Sequence, residues 1–238
     1  MIRYNQGEPM NIEESKKAAG YLAASFVEKK MIVGLGTGST AYYFIEKLIE
    51  RNSLENLEIR AIASSSTSSK QALAGGIQLV DINEINYIDL TVDGADEIDK
   101  QKRMIKGGGG ALLREKMLAS MSKEMIVVVD ETKLTNQLGH KKLPVEVIPF
   151  GNKITLHKIE KLGLRGELRK DTKTIEQPYV TDNGNYIIDI HFSNQIENPE
   201  QLDLLLKEIP GVVETGFFFN LAGRVIIAFK DGQTLVLS

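Results

Sequence analysis

The sequence predicts an α/β protein, a Rossmann-like parallel-sheet domain with a smaller ferredoxin-like α+β domain. Three observations predict it. Short continuous apolar runs alternate with helical periodicity through the first half, two glycine-rich turns stand between a strand and a helix, and past Asp130 the order of elements becomes β-α-β-β-α-β. With 238 residues, 42% of them hydrophobic and 26% charged, the chain can bury a core of that size.

Each element follows from local pattern. Asn11 reads as an N-cap with Glu14 at the capping-box position, and Ala18, Leu22 and Phe26 recur every fourth residue, so a helix is expected over 11–29. Residues 31–35 form an apolar strand that breaks into a Gly/Ser/Thr turn, after which Tyr42, Ile45, Leu48 and Ile49 restore helical spacing. Strands are expected at 57–63, 77–80, 87–92 and 125–129, and helices near 67–73 and 112–121. The second half predicts a strand at 143–148, a helix at 153–162 and a strand at 164–168. A hairpin follows, in which 179–181 and 186–191 flank Asp182-Asn-Gly-Asn185. Asn198-Pro199 opens a helix, 212–218 is a strand, and a last hairpin, 225–229 with 234–237, returns to the first domain. The expected division is 1–140 with 215–238 for the α/β domain and 141–214 for the ferredoxin-like one.

Composition excludes several classes of function. Lys plus Arg is 29 and Asp plus Glu is 32, giving a net charge of −3 with the two signs interspersed, so no nucleic-acid partner is expected. The absence of Cys excludes disulfides, thiolate metal sites and a cysteine nucleophile. The longest apolar runs are strand-length and the opening MIRYNQGEPM has no signal-peptide pattern; a cytoplasmic protein without membrane contact is expected.

Gly34-Leu-Gly-Thr-Gly-Ser-Thr40 lies where backbone N–H groups and a helix dipole converge on an anion. A plain packing turn is the alternative, but three glycines with Thr37, Ser39 and Thr40 supply more donors than that needs. The third glycine, Gly38, falls one place early for a dinucleotide fingerprint. The next strand ends in Ser64-Ser-Ser66 without an acidic residue for a ribose, and no lysine makes a Walker loop. A phosphate monoester is the better fit. Lys106-Gly-Gly-Gly-Gly110 is a second turn of this kind: either a flexible surface loop, or backbone brought close to a ligand so that its N–H groups meet developing oxyanion charge.

Asp93 and Asp96 stand just past a buried-looking strand, at the edge where open α/β sheets bind ligands; helix capping and a metal cluster with Asp99 are the other readings. The histidines His140, His157 and His191 lie in separate segments, so no metal is expected. Glu115, taken alone, reads as a solvated member of an Arg-Glu-Lys face; its helix begins at a glycine turn, which raises it. Lys133 follows a strand and is either a surface lysine or an anion ligand.

Taken together, Gly34 to Ala41, Thr91-Val-Asp-Gly-Ala-Asp-Glu-Ile98, Ile105 to Lys116, Val129-Asp-Glu-Thr-Lys133 and Leu143-Pro-Val-Glu-Val-Ile-Pro149 resemble the type A family of ribose-5-phosphate isomerases, in order and spacing, from about Asn11 onward. The resemblance implies interconversion of ribose 5-phosphate and ribulose 5-phosphate in the non-oxidative pentose phosphate pathway, without cofactor or metal, by a homodimer or homotetramer. It implies Glu115 as catalytic base, aided by Asp93, Asp96 and Lys106. Substrate would be bound by Thr37, Gly38, Ser39, Thr40, by Asp93, Gly94, Ala95, Asp96, by Lys106, Gly107, Gly108, Gly109, and by Lys133. Lys16 matches a further phosphate-pocket lysine, and Gly110 stands where alanine is common, a departure expected to be conservative.

The chemistry suits these residues. Proton transfer between C2 and C1 through a cis-enediolate needs one carboxylate. In water a glutamate of pKa about 4.3 is too weak a base, unless burial raises it and the enediolate is stabilised. Ring opening needs a proton moved between O4 and O1, for which Asp93 or Asp96 is placed. Rivals are a sugar-phosphate sensor, disfavoured because about ten residues precede the first helix, and an amino-sugar phosphate isomerase or acyl-CoA transferase of similar architecture.

Overall fold

The computed structural model describes residues 12–172, 174 and 176–238. The first half runs α1 (Ile12–Ala24), β1 (Ile32–Leu35), α2 (Ser39–Glu55), β2 (Arg60–Ala63), α3 (Ser66–Ala74), β3 (Gln78–Leu79) and β4 (Ile88–Asp93). It continues β5 (Glu97–Ile98), β6 (Met104–Ile105), α4 (Leu112–Met121), β7 (Ser122–Asp130), β8 (Leu143–Val147), α5 (Asn152–Glu160) and β9 (Arg165–Leu168). The chain ends β10 (Tyr186–His191), α6 (Pro199–Lys207), β11 (Val212–Thr215), β12 (Phe217–Phe218), β13 (Ala222–Ala228) and β14 (Thr234–Leu237). The proposed N-cap Asn11 lies outside the described residues, and α1 stops at Ala24 rather than 29.

Two compact units result: residues up to Gly94 with Met117–Lys133 and Leu221–Ser238, and Ala95–Lys116 with Leu134–Asn220. The first holds a seven-stranded sheet of order β14-β13-β7-β4-β1-β2-β3, parallel except for the edge strand β14. All four residues of β1 are buried, the mark of a parallel strand covered on both faces. Alternation along the strands divides the core. Val33, Leu35, Val92, Ile126 and Val128 meet Ala19 and Ala23 of α1 and Phe44, Ile45 and Leu48 of α2, whereas Ile32, Ile62 and Ile88 meet Leu118 of α4. Helix α1 approaches α2 closely at Gly20, where a Cβ would stand 2.7 Å from the Phe44 nitrogen. The C-terminal hairpin β13–β14 does return to this sheet, β13 lying parallel to β7.

The second unit contains a four-stranded antiparallel sheet of order β11-β8-β10-β9, packed through Leu143, Val145, Val147, Ile188 and Ile190 on Ile159 of α5 and Leu206 of α6. Taken in chain order, β8-α5-β9-β10-α6-β11 with that strand order is the ferredoxin-like arrangement. Three features differ from expectation. The segment 179–181 is no strand: β10 pairs with β9 instead, although the 182–185 turn forms, closed by Thr181 N–H to the Asn185 carbonyl at 2.8 Å. The expected strand 212–218 breaks at Gly216, because β11 pairs with β8 and β12 with β6. Gly216 takes the Lys106 N–H and donates to Pro144, and a Cβ there would lie 2.4 Å from the Lys106 carbonyl. Finally, residues 95–116, 134–140 and 215–220, expected with the α/β domain, belong to the second unit, since β5 and β6 form a three-stranded sheet with β12. Two-residue strands carry no periodicity by which a sequence could announce them.

Candidate active site

In the first unit β1, β4 and β7 are adjacent and parallel, so the segments that follow them leave the same carboxyl edge. The β1 turn is locked to the end of β4. Gly36 N–H donates to the Val92 carbonyl at 2.9 Å, and Asp93 Oδ1 accepts from the Thr37 and Gly94 amides at 3.0 and 2.8 Å. A Cβ on Gly36 would stand 2.2 Å from that carboxylate oxygen, which accounts for the glycine. Gly38 is glycine for another reason: its φ of 103° is a conformation that L side chains rarely adopt, while the space around it is open. It caps α2 without a side-chain hydrogen bond, so Ser39 and Thr40 open a helix whose first N–H groups take no side-chain cap from Gly38. The Thr37 hydroxyl lies 2.7 Å from that of Ser64, and Ser68 Oγ donates to the Gly36 carbonyl at 2.6 Å. Sequence reasoning treated the serines after β2 only as a missing acidic residue; they brace the turn. Lys133 ends a single 3₁₀ turn after β7, half-buried, and among the described residues it pairs with no carboxylate. Lys16 is paired with Glu13 at 3.2 Å.

The second unit carries Lys106, the glycine turn and Glu115. Lys106 and Glu115 are 3% and 4% exposed, and Lys106 Nζ sits 3.4 Å from Glu115 Oε2 and 5.3 Å from the Phe218 ring centroid. The solvated-face reading of Glu115 is therefore wrong: its place in the first turn of α4 points inward, while its neighbours Arg114 and Lys116 take other partners. Burial of an ammonium and a carboxylate together is costly unless they pair, and here they pair. Lys116 is itself pushed below the usual lysine range by burial, opposed by the Glu214 carboxylate.

The glycines of the turn have distinct tasks. Gly107 and Gly110 have φ of 97° and 86°, and Gly110 N–H closes on the Gly107 carbonyl at 2.9 Å. A Cβ on Gly110 would fall 2.3 Å from the Tyr179 hydroxyl, so the fourth glycine is not the conservative departure expected of it. Gly108 N–H donates to Asp96 Oδ2 at 2.7 Å.

The acidic run also separates into tasks. Asp93 is fully buried against backbone amides, Asp96 is half-exposed, and Asp99 accepts from the Gln101 and Arg103 amides and from Arg103 Nε. Glu97, 2% exposed, holds the Gly139, His140 and Lys141 amides. Among the described residues, no three His, Asp or Glu converge as metal ligands, and no helix is long and apolar enough to cross a membrane.

A helix start without a side-chain cap at a parallel-sheet edge and a buried lysine–carboxylate pair beside a glycine turn are the equipment of a small-molecule enzyme working by acid–base chemistry on a phosphorylated substrate. Comparison with known proteins makes that specific. The profile of ribose 5-phosphate isomerase A (phosphoriboisomerase A) matches residues 60–232. The chain is 52% identical to ribose-5-phosphate isomerase A of Protochlamydia amoebophila over 94% of its length and 96% of that protein, and 49% identical to that of Bacillus mycoides over 91% and 96%. Among solved structures, a D-ribose-5-phosphate isomerase in complex with phospho-erythronic acid superposes with a TM-score of 0.91 at 37% identity, covering 96% of this chain and all of that one. The Methanocaldococcus jannaschii enzyme gives 0.90 at 35%, with the same coverage. The chain belongs to the ribose 5-phosphate isomerase A family: it is an aldose–ketose isomerase interconverting ribose 5-phosphate and ribulose 5-phosphate.

Proposed function

We propose that Glu115 is the base of this isomerisation. The observation that carries the reading is the buried pair with Lys106 at 3.4 Å: a carboxylate removed from water, beside a fixed positive charge able to stabilise an enediolate. Glu115 takes the C2 proton of the open-chain aldose, the charge spreads over O1 and O2 as the cis-enediolate, and the same carboxyl returns the proton to C1. Within the enediolate the hydroxyl proton passes from O2 to O1, so the protein finishes as it began. Lys106 and the amides of Gly107 and Gly109 stabilise the oxyanion, joined by that of Gly108 once Asp96, which it meets at 2.7 Å, turns to the sugar. Ring opening falls to Asp96, the half-exposed member of the aspartate pair, while Asp93 braces the β1 turn through two amides.

The phosphate is held by Thr37, Gly38, Ser39 and Thr40, with Lys133 supplying charge, and Gly94 and Ala95 line the sugar. Phospho-erythronic acid, bound by a relative, is a sugar-acid phosphate of this type. Because Lys133 acts on ground and transition states alike, Lys133→Ala is expected to raise KM, by about 1.5–3 kcal/mol or roughly 10- to 10²-fold, with kcat nearly unchanged. A fall in kcat alone would move Lys133 into the chemistry.

The reading places the enzyme in the cytoplasm as a homodimer or homotetramer, a mass that light scattering of the purified chain measures. It includes no metal, since Asp99 is committed to Arg103 and its own turn. The test is NMR of ribose 5-phosphate turnover in D₂O after exhaustive EDTA dialysis. Full activity is expected, with solvent deuterium entering at the exchanging carbon. Activity lost to EDTA and restored by Mg²⁺ or Mn²⁺ overturns the metal-free route, and deuterium in the product rules out a hydride shift, which would carry none.

A further inference from the structure

We infer that Arg169, from the ferredoxin-like sheet, is a positioning residue that aims the amides of the glycine turn, a role that rests on the oxyanion reading of those amides. Arg169 follows β9, and its Nη1 donates to the carbonyls of both Gly107 and Gly108 at 3.1 Å. A trans peptide is planar, so its C=O and N–H point in opposite directions. Fixing the Gly107 carbonyl on Arg169 therefore sends the Gly108 N–H the other way, and fixing the Gly108 carbonyl does the same for the Gly109 N–H. The far side is identified independently: the Gly108 amide meets Asp96 Oδ2 at 2.7 Å, and Asp96 is the carboxylate given to ring opening. The next carbonyl, that of Gly109, accepts from the Tyr179 hydroxyl at 3.2 Å, and the Arg169 guanidinium lies 5.7 Å from the Tyr179 ring centroid.

Four successive glycines have no side chains to hold their peptide planes, so their orientation must come from outside. Arg169 can provide it because it is itself fixed. Its Nη2 and Nε donate to the two oxygens of Asp189 at 2.5 and 2.9 Å, and Lys142 Nζ reaches Asp189 at 2.6 Å. Asp189 is 1% exposed. Burial raises its carboxyl, and the hydrogen bonds and charges of Arg169 and Lys142 outweigh that and hold it below the usual aspartate range. A forked guanidinium does this in full, whereas an ammonium has no planar fork with which to engage Asp189 and two carbonyls together and can replace only some of these bonds.

The test compares the full-length chain with Arg169→Ala and Arg169→Lys, and with Glu115→Gln as a reference. Measurements are kcat, KM, Tm, inhibition by phospho-erythronic acid and binding of inorganic phosphate. The carboxylate of phospho-erythronic acid presents two planar oxygens as the enediolate does, so it reports on the amides, whereas inorganic phosphate reports only on the phosphate site. Losing one oxyanion donor outright costs about 10²–10³ in kcat, so misaiming such donors in Arg169→Ala should cost roughly 10- to 10²-fold. KM and phosphate binding should stay within about threefold, inhibition should weaken alongside kcat/KM, and Arg169→Lys should recover part of kcat. An unchanged kcat overturns the role, as does a parallel loss of phosphate binding, inhibition and Tm that lysine does not relieve, which is what a merely structural brace would give. If Glu115→Gln retains activity, the base assignment fails by itself. If Glu115→Gln is inactive and Arg169→Ala is not, only the positioning role falls.

Discussion

Glu115→Gln is expected to lose isomerisation by about 10² to 10⁴ in kcat while leaving the fold and sugar-phosphate binding in place, the usual cost of removing a general base. The amide keeps the shape of the side chain and an oxygen that can accept from the Lys106 ammonium, 3.4 Å away in the parent, so the buried charge is not stranded without a hydrogen-bonding partner. What the amide lacks is basicity. KM is therefore expected to move little, and deuterium exchange at C2 in D₂O to fall together with turnover, because both begin with the same proton abstraction. A kcat within threefold of the parent sinks the assignment. Turnover faster than exchange would show that the Glu115 carboxyl delivers its proton to C1 before trading it with solvent, as a single base can.

How much of this was legible in the sequence depended on whether a residue's task is local. The parallel sheet was legible because β1 and residues 125–129 of β7 are continuous apolar runs and β4 alternates apolar with polar residues, with helices between them; α4 was expected at 112–121 and is found at Leu112–Met121. The turn at Gly34–Thr40 was legible for the same reason, its donors and its helix being consecutive. The small β5-β6-β12 sheet was not, since two of its strands are separated from the third by more than a hundred residues and none exceeds two. This sheet is also what takes residues 95–116 out of the expected first domain.

For the site, Lys106 and Glu115 could be singled out by their places around a glycine turn, but the fate of Glu115 could not. Arg114, Glu115 and Lys116 read as one solvated face, and only the three-dimensional arrangement sends Arg114 to Asp182 and Asn183, Lys116 to Glu214 and Glu115 inward. Arg169 and Tyr179 were invisible because they act on backbone carbonyls some 60 to 70 positions away, a contact that leaves no motif. Gly110 illustrates the converse. Its sequence neighbours gave no reason to distinguish it from alanine, whereas Tyr179 and a φ of 86° do.

Lys106→Met should carry the second large effect, and it should fall on stability and rate together. The side chain is 3% exposed, and its removal leaves Glu115 buried with its paired cation gone; breaking a buried pair from one side costs about 3–5 kcal/mol. Methionine keeps most of the volume and an apolar contact with Phe218, so the loss is attributable to charge rather than to a cavity. On the rate side, loss of the cation beside the enediolate is expected to lower kcat by about 10²–10³, with KM less affected. The two consequences separate in a double-mutant cycle. Adding Glu115→Gln to Lys106→Met removes the uncompensated carboxylate, so Tm should rise relative to Lys106→Met alone while activity stays at the floor. If instead the two stability losses simply add, the pair is not coupled and the 3.4 Å contact does not describe the working enzyme. If Lys106→Met retains near-parent kcat, the glycine-turn amides alone carry the oxyanion, and the weight placed on the buried lysine is misplaced.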